Sequence, residues 1–230
     1  MDKNKIIETR DLTVSYDGKK VLDKVSFTIN SGEVTVILGA SGSGKTTVFR
    51  AILGLKEPDD GQILVFGEDL TEMDEADLFA FYMKIGVFYQ NGALLSSMTV
   101  GDNVALALEQ HTRLSPDIIR SMVSSKLKLV RLSNAVDQYP SELSGGMLKR
   151  AALARAIIRD PALLLCDEPG AGLDPVSLAS LDELILNLKD QLGMTVLMVT
   201  HEVSSIKRVA DKIVYLENGN VVFEKKNISI

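Results

Sequence analysis

The chain has 230 residues, 46% of them hydrophobic, a formal net charge of −6 and one cysteine, Cys166. Such a length buries a sizeable core, so one compact unit or two closely packed subdomains is expected, while the acidic balance argues against nucleic acid as the main partner. A single thiol excludes an intramolecular disulfide and any site built from several thiolates. No apolar run reaches the roughly 18 to 20 residues that cross a bilayer, and the opening run MDKNKIIETR lacks the apolar centre of a signal peptide, so a cytoplasmic location is expected.

In chain order, Ile6 to Val14 and Val21 to Ile29 are apolar and β-prone, and the polar Asp17-Gly18-Lys19-Lys20 between them reads as a hairpin turn. Val34 to Leu38 is nearly continuous β-branched or apolar sequence, the pattern of a strand buried on both faces, and it feeds a glycine-rich segment at Gly39. Helical spacing follows over Lys45 to Leu55, then a strand over Gly61 to Phe66. From about Gly92 to Arg159 the β signal fades into helical pieces: Val100 to His111, Ser115 to Leu129 and Gly145 to Ile158. Strand-like runs return at Ala162 to Cys166 and Met194 to Val199, joined by an amphipathic helix from about Pro175 to Leu192, a crossover that makes the two strands parallel. The chain carries no low-complexity linker and no internal repeat. An α/β nucleotide-binding core with a helical subdomain is expected.

Gly39-Ala40-Ser41-Gly42-Ser43-Gly44-Lys45-Thr46 fits G-x-x-x-x-G-K-[ST] and lies between a buried strand and a helix. Glycines let successive N–H groups turn toward phosphates; Lys45 reaches the β and γ phosphates, the Thr46 hydroxyl suits Mg²⁺, and Thr47 next to it completes the expected nucleotide-binding set. Leu163-Leu164-Leu165-Cys166-Asp167-Glu168 is an apolar strand ending in two carboxylates, at the sheet edge where open α/β sheets bind ligands. Asp167 suits Mg²⁺, and Glu168 suits a general base acting on water. His201 directly follows the next strand and should emerge at the same edge, within reach of a γ-phosphate. His111, near a helix end, has no such position and is assigned nothing. In Leu143-Ser144-Gly145-Gly146-Met147 a hydroxyl and bare N–H groups open a helix, a second place suited to a γ-phosphate. Alone it reads better as a Ser N-cap with flexible glycines; about a hundred residues after Lys45 and about twenty before Asp167, the phosphate reading prevails.

With these motifs in this order, nearly the whole chain resembles the ABC ATPases. The resemblance implies ATP and Mg²⁺ as cofactors and a P-loop NTPase fold of ABC type: a mixed, mainly parallel sheet with an N-terminal antiparallel β subdomain, plus a helical subdomain. It implies a single nucleotide-binding domain over 1–230, with a RecA-like core at 1–90 and 160–230 and the helical subdomain at 91–159. In that family the signature segment faces the phosphate loop of a second copy, so that two ATPs are sandwiched head to tail. Carried onto this sequence, Tyr16 matches the aromatic that stacks on adenine, and Gln90 the glutamine that senses Mg²⁺ and water. Asp174, in Gly172-Leu173-Asp174-Pro175, matches the loop that crosses the dimer. Each has a plainer reading, as a strand aromatic, a polar strand end and a helix N-cap. The family's usual Gln at the fifth signature position is Met147 here; since Ser144, Gly145 and Gly146 supply the phosphate contacts, hydrolysis is expected to survive.

Gln90-Asn91-Gly92-Ala93-Leu94-Leu95, the run Ser96 to Val100, Asp102-Asn103-Val104, and the signature ending in Met147 before Arg150-Ala151-Ala152 resemble more narrowly the ATPases of the Mla or Mkl type of bacterial phospholipid transporter. That resemblance implies an inner-membrane permease contacted through the Gln90 to Val104 region, an MCE-domain lipid-binding partner, and a peripheral position on the cytoplasmic face of the membrane. The ATPase of another importer or exporter, for amino acids or lipoproteins, is the alternative. A repair or ribosomal ABC protein is disfavoured, because the chain has neither a long coiled coil nor a second cassette. A degenerate cassette is disfavoured because Lys45, Glu168 and His201 are all present.

Overall fold

The computed structural model describes residues 4–226; the first three residues of the opening run lie outside them. Among the described residues the chain divides into two compact units, one running through Tyr82 and resuming at Thr195, the other Met83–Met194.

In the first unit, β1 (Lys5–Tyr16) and β2 (Lys19–Asn30) form the expected antiparallel hairpin, and Asp17 (φ 50) with Gly18 (φ 76) makes its left-handed turn. β1 also pairs antiparallel with β4 (Asp60–Val65), which pairs with the short β5 (Glu68–Asp69). In a second sheet β3 (Val34–Leu38) lies between two parallel partners, β8 (Thr195–Val199) and β9 (Lys212–Glu217). Val34, Val36 and Ile37 are fully buried, as a strand with covered faces requires. β10 (Asn220–Lys226) closes the edge antiparallel to β9. Lys212 opens β9 yet is 2% exposed; it pairs with Glu224 of β10 at 2.6 Å and donates to the Thr28 carbonyl of β2.

Helix α1 (Lys45–Ile52) follows β3 and α7 (Val203–Val209) follows β8. The apolar spacing predicts α1 as far as Leu55, but Gly54 turns left-handed at φ 68 and the Leu55 N–H bonds back to the Arg50 carbonyl. That is a glycine stop, beyond which apolar residues no longer continue the helix. Helix α2 (Glu75–Met83) ends where the first unit gives way to the second.

In the second unit β6 (Ile85–Phe88) pairs parallel with β7 (Leu163–Asp167), Phe88 opposite Cys166. Gly86 is required in β6, because a Cβ there would lie 2.2 Å from the Ala156 carbonyl oxygen. The stretch expected to be helical contains α3 (Val100–His111), α4 (Pro116–Leu129) and α5 (Gly145–Ala156). α3 starts with a capping box between Thr99 and Asp102, and α4 with Pro116 in its first turn. Val104, Leu108, Val123, Leu127 and Leu153 are buried from these helices, each contributing about 1.5–3 kcal/mol. α6 (Pro175–Leu192) ends at Gly193 in the left-handed conformation. No described helix is long and apolar enough to cross a membrane.

Candidate functional site

In the first unit, the β3–β8 register sets Ile37 opposite Val199. Gly39 and His201, each two residues further on, therefore leave neighbouring strand ends. The loop after β3 curls through Gly42 (φ 79) and Gly44 (φ 104), conformations that cost a side chain strain. Gly39 is needed for closeness as well: a Cβ would stand 2.2 Å from the Leu216 carbonyl oxygen and 2.5 Å from Ser43 Oγ. Gly44 precedes α1 without a side-chain cap and α1 has no acidic residue in its first turn, so its N-terminal amides meet no competing anion of their own. Lys45 Nζ arches back over the loop, donating to the carbonyls of Gly39 at 2.7 Å and Ala40 at 2.9 Å. Ala40, Ser41 and Thr46 are exposed, whereas the Thr47 side chain is buried on the core face of α1. His201 is exposed, with Nε2 3.9 Å from Glu202 Oε1. Tyr16, at the end of β1, is 38% exposed with Lys56 Nζ 5.4 Å above its ring centroid.

The second unit brings together a different set. Gln90 and Glu168 stand two residues beyond the Phe88–Cys166 pair, so they too leave neighbouring strand ends, with Asp167 completing β7. Glu168 has a left-handed backbone (φ 45), its carbonyl accepts from the Ala171 N–H, and its Oε2 is shielded from solvent. The Gln90 carbonyl accepts a hydrogen bond from Lys149 Nζ of α5. The sequence gives no sign of Lys149, because a lysine within a helix reads as solvated; it is 8% exposed. Arg155, also on α5, donates to the carbonyls of Gly92 (2.7 Å) and Ala93 (2.6 Å).

Elsewhere in this unit the amino ends of α5 and α6 converge on a cavity of about 420 Å³ lined by Ser144, Gly146, Met147, Arg150, Asp174 and Ser177. Ser144 caps α5, accepting from the Met147 N–H at 3.3 Å. Asp174 caps α6, accepting from the Val176 and Ser177 N–H groups at 3.0 Å each. The Ser177 hydroxyl, with these amides, holds the Asp174 carboxyl below the usual carboxylate range. Gly145 has open space where a side chain would begin. Met147 stands in the cavity wall.

The segment after Gln90 is organised by one buried side chain. Asn103 Nδ2 donates to the carbonyls of Leu95 (3.0 Å), Met98 (3.2 Å) and Thr99 (2.9 Å), and its Oδ1 accepts from the Leu95 N–H at 2.7 Å. Leu95 remains 45% exposed at the tip.

The phosphate loop fits a nucleotide on its own chemistry. Ser43 Oγ is buried and finds no hydrogen-bond partner among the described residues, in the bend where Gly39 leaves no room for a Cβ. For Mg²⁺, the described residues hold no cluster of three or more acidic, His or Cys side chains. In the first unit Thr46 carries a hydroxyl and in the second Asp167 a carboxylate, each an oxygen donor of the kind Mg²⁺ accepts.

A strand, a glycine-cradled loop with a lysine over it, and a second strand ending in paired carboxylates define a phosphate-loop nucleotide-binding protein. The chain belongs to the ABC transporter family, whose family model matches residues 22–171, and it carries that family's ATP-binding domain. It is 41% identical over 216 residues to the probable ribonucleotide transport ATP-binding protein mkl of Mycobacterium leprae, covering 94% of this chain and 62% of the relative. It is 40% identical over 217 residues to the intermembrane phospholipid transport system ATP-binding protein MlaF of Escherichia coli K12, covering 94% and 81%. The chain thus spans less than two thirds of the length of the mycobacterial relative. Among solved structures it resembles cbiO1 of Clostridium perfringens, part of the ABC transporter complex cbiONQ, with a TM-score of 0.90 at 29% identity, covering 97% of this chain and 89% of that one. It also resembles an ATP-binding cassette in a dimeric post-hydrolysis state bound to ADP and Pi, with a TM-score of 0.86 at 30% identity, covering 96% and 98%.

Proposed function

We propose that this chain binds and hydrolyses ATP as one half of a head-to-tail dimer and drives phospholipid transport between membranes. The observation that carries the reading is the cavity where the α5 and α6 amino ends meet. Its caps, Ser144 and Asp174, engage only some of the first-turn amides, and the cavity suits a phosphate brought by a second copy. In this reading Gly39 to Thr47 cradle the phosphates of the chain's own nucleotide, Lys45 leaves its carbonyls for the β and γ oxygens, and Tyr16 packs on adenine. Glu168 holds the attacking water and takes its proton, Gln90 orients that water, and His201 donates to the γ-phosphate. Thr46, Asp167 and Gln90 are the residues that would hold Mg²⁺, which would supply charge neutralisation at the phosphates. Ser144, Gly145 and Gly146 serve the partner's nucleotide, and Asp174 crosses to it.

The lipid assignment rests on the Gln90 to Val104 segment, on Met147, and on the likeness to a protein named for intermembrane phospholipid transport. On this reading the segment docks on an integral permease at the cytoplasmic membrane face, with an MCE-domain protein beyond.

The Glu168→Gln protein is expected to retain ATP and elute as a dimer while turnover collapses; unchanged turnover would falsify the base assignment. Purification with membrane partners and reconstitution into vesicles separates the substrates. ATP-dependent phospholipid transfer supports the lipid reading, whereas a permease recovered without an MCE partner, or ribonucleotide uptake by the vesicles, replaces it.

A further inference from the structure

Lys149 is a buried charge that the motif assignments leave unexplained. An ammonium withdrawn from water costs several kcal/mol unless it is hydrogen-bonded and faces an opposite charge. At 8% exposure Lys149 has the hydrogen bond. Its Nζ donates to the Gln90 backbone carbonyl, across 59 residues of sequence. The strand register sets what lies beside the Gln90 end of that bond. β6 and β7 run parallel with Phe88 opposite Cys166, so Gln90 and Glu168 leave neighbouring strand ends, and α5 packs against β6.

We infer that Lys149 is a positioning residue for hydrolysis, one that ties the Gln90 backbone to α5 so that Gln90 and its strand-end neighbour Glu168 hold one water between them. The inference rests on the roles proposed above for Gln90 and Glu168. It adds a link those roles lack. α5 begins at the signature cap Ser144, and Lys149 lies five residues further along, about 7.5 Å of helix rise. The helix that would meet the partner's phosphate therefore also carries the group that holds this chain's own glutamine.

Arg155 makes the idea separable from folding. It anchors the Gly92 and Ala93 carbonyls independently, so the chain beyond Gln90 keeps its path when Lys149 is changed. Lys149→Met keeps the length and removes charge and donor, an exchange that buried ion sites often tolerate in stability.

The test is steady-state ATPase kinetics on the full chain, with melting curves for each variant. Lys149→Met should lower kcat by about tenfold or more with KM for ATP within about twofold of wild type, the signature of a lost transition-state interaction. Lys149→Arg, which keeps charge and donor, should recover to within about threefold, and in a Gln90→Ala background Lys149→Met should cost less than about threefold, because coupled residues do not add. Should Lys149→Met fail to fold, Lys149→Gln keeps a donor without the charge and is expected to lose about fivefold or more in kcat. A folded Lys149→Met or Lys149→Gln protein with wild-type kcat overturns the inference, as do losses that multiply fully in the double variant. Gln90→Ala and Glu168→Gln alone mark where a failure lies. If both retain full turnover, the catalytic assignments fall and the inference with them. If both lose turnover while the Lys149 variants do not, only the inference falls.

Discussion

Replacing Asn103 by Ala removes four hydrogen bonds at a fully buried site. At about 0.5–1.5 kcal/mol net each, they sum to about 2–6 kcal/mol. The loop from Leu95 to Thr99 is largely exposed and can open to let water take the freed carbonyls, which holds the loss near the lower end, about 2–3 kcal/mol. The chain has no tryptophan, so urea unfolding is followed by circular dichroism, with amide exchange of Leu95 as the local readout. The m value should stay constant, the midpoint fall, and the Leu95 amide exchange faster by more than about tenfold. Asn103→Asp sharpens the test. It keeps the acceptor for the Leu95 N–H but turns a carboxylate toward three carbonyl oxygens, so it should be no more stable than the Ala variant. A loss below about 0.5 kcal/mol with unchanged Leu95 exchange refutes the claim that this side chain organises the loop.

Gly39→Ala should weaken nucleotide binding by about tenfold or more and destabilise by about 1–3 kcal/mol, since its Cβ would meet backbone at 2.2 Å; fluorescence titration and melting check both. Burial, and then the neighbouring Asp167 charge, pushes the Cys166 thiol pKa far up, so a maleimide should label it at neutral pH only when urea opens the protein; rapid labelling of the native chain contradicts this. Asp174 has a folded pKa below its ordinary 3.8, so its stabilisation of the first turn of α6 is present above that ordinary value and lost as pH falls through the lower folded one. Amide protection of Val176 and Ser177 should therefore be flat near neutrality and drop only in acid, and in Asp174→Ala the acid step should vanish.

The strongest sequence signals were those in which one physical demand fills several consecutive positions. Val34 to Leu38 and Leu163 to Cys166 read as buried strands because both faces must be apolar, and the glycine loop and the Asp167-Glu168 pair follow them directly. Elements that escaped are those whose reason lies elsewhere in the chain. β6 has only four residues and includes Gly86, which reads as a breaker until the Ala156 carbonyl is seen against it. β9 opens on a lysine, a surface residue by composition, that is buried because Glu224 and Thr28 answer it. α2 mixes apolar residues without a face, and only Phe81 is buried. Among the candidate site residues, the motif positions were legible, whereas the hold of Lys149 on Gln90 was not, because 59 residues separate the two.

The solitary hydroxyl of Ser43 has a consequence for the protein as a whole. A buried oxygen without a partner costs about 1–3 kcal/mol, and a phosphate oxygen or its hydration shell relieves that cost. Nucleotide then acts as a folding ligand, adding about 2.7 kcal/mol when its concentration is a hundred times Kd. The lifetime of this chain in a cell should accordingly follow the adenylate pool, with energy-starved cells turning it over faster even where its synthesis is unchanged.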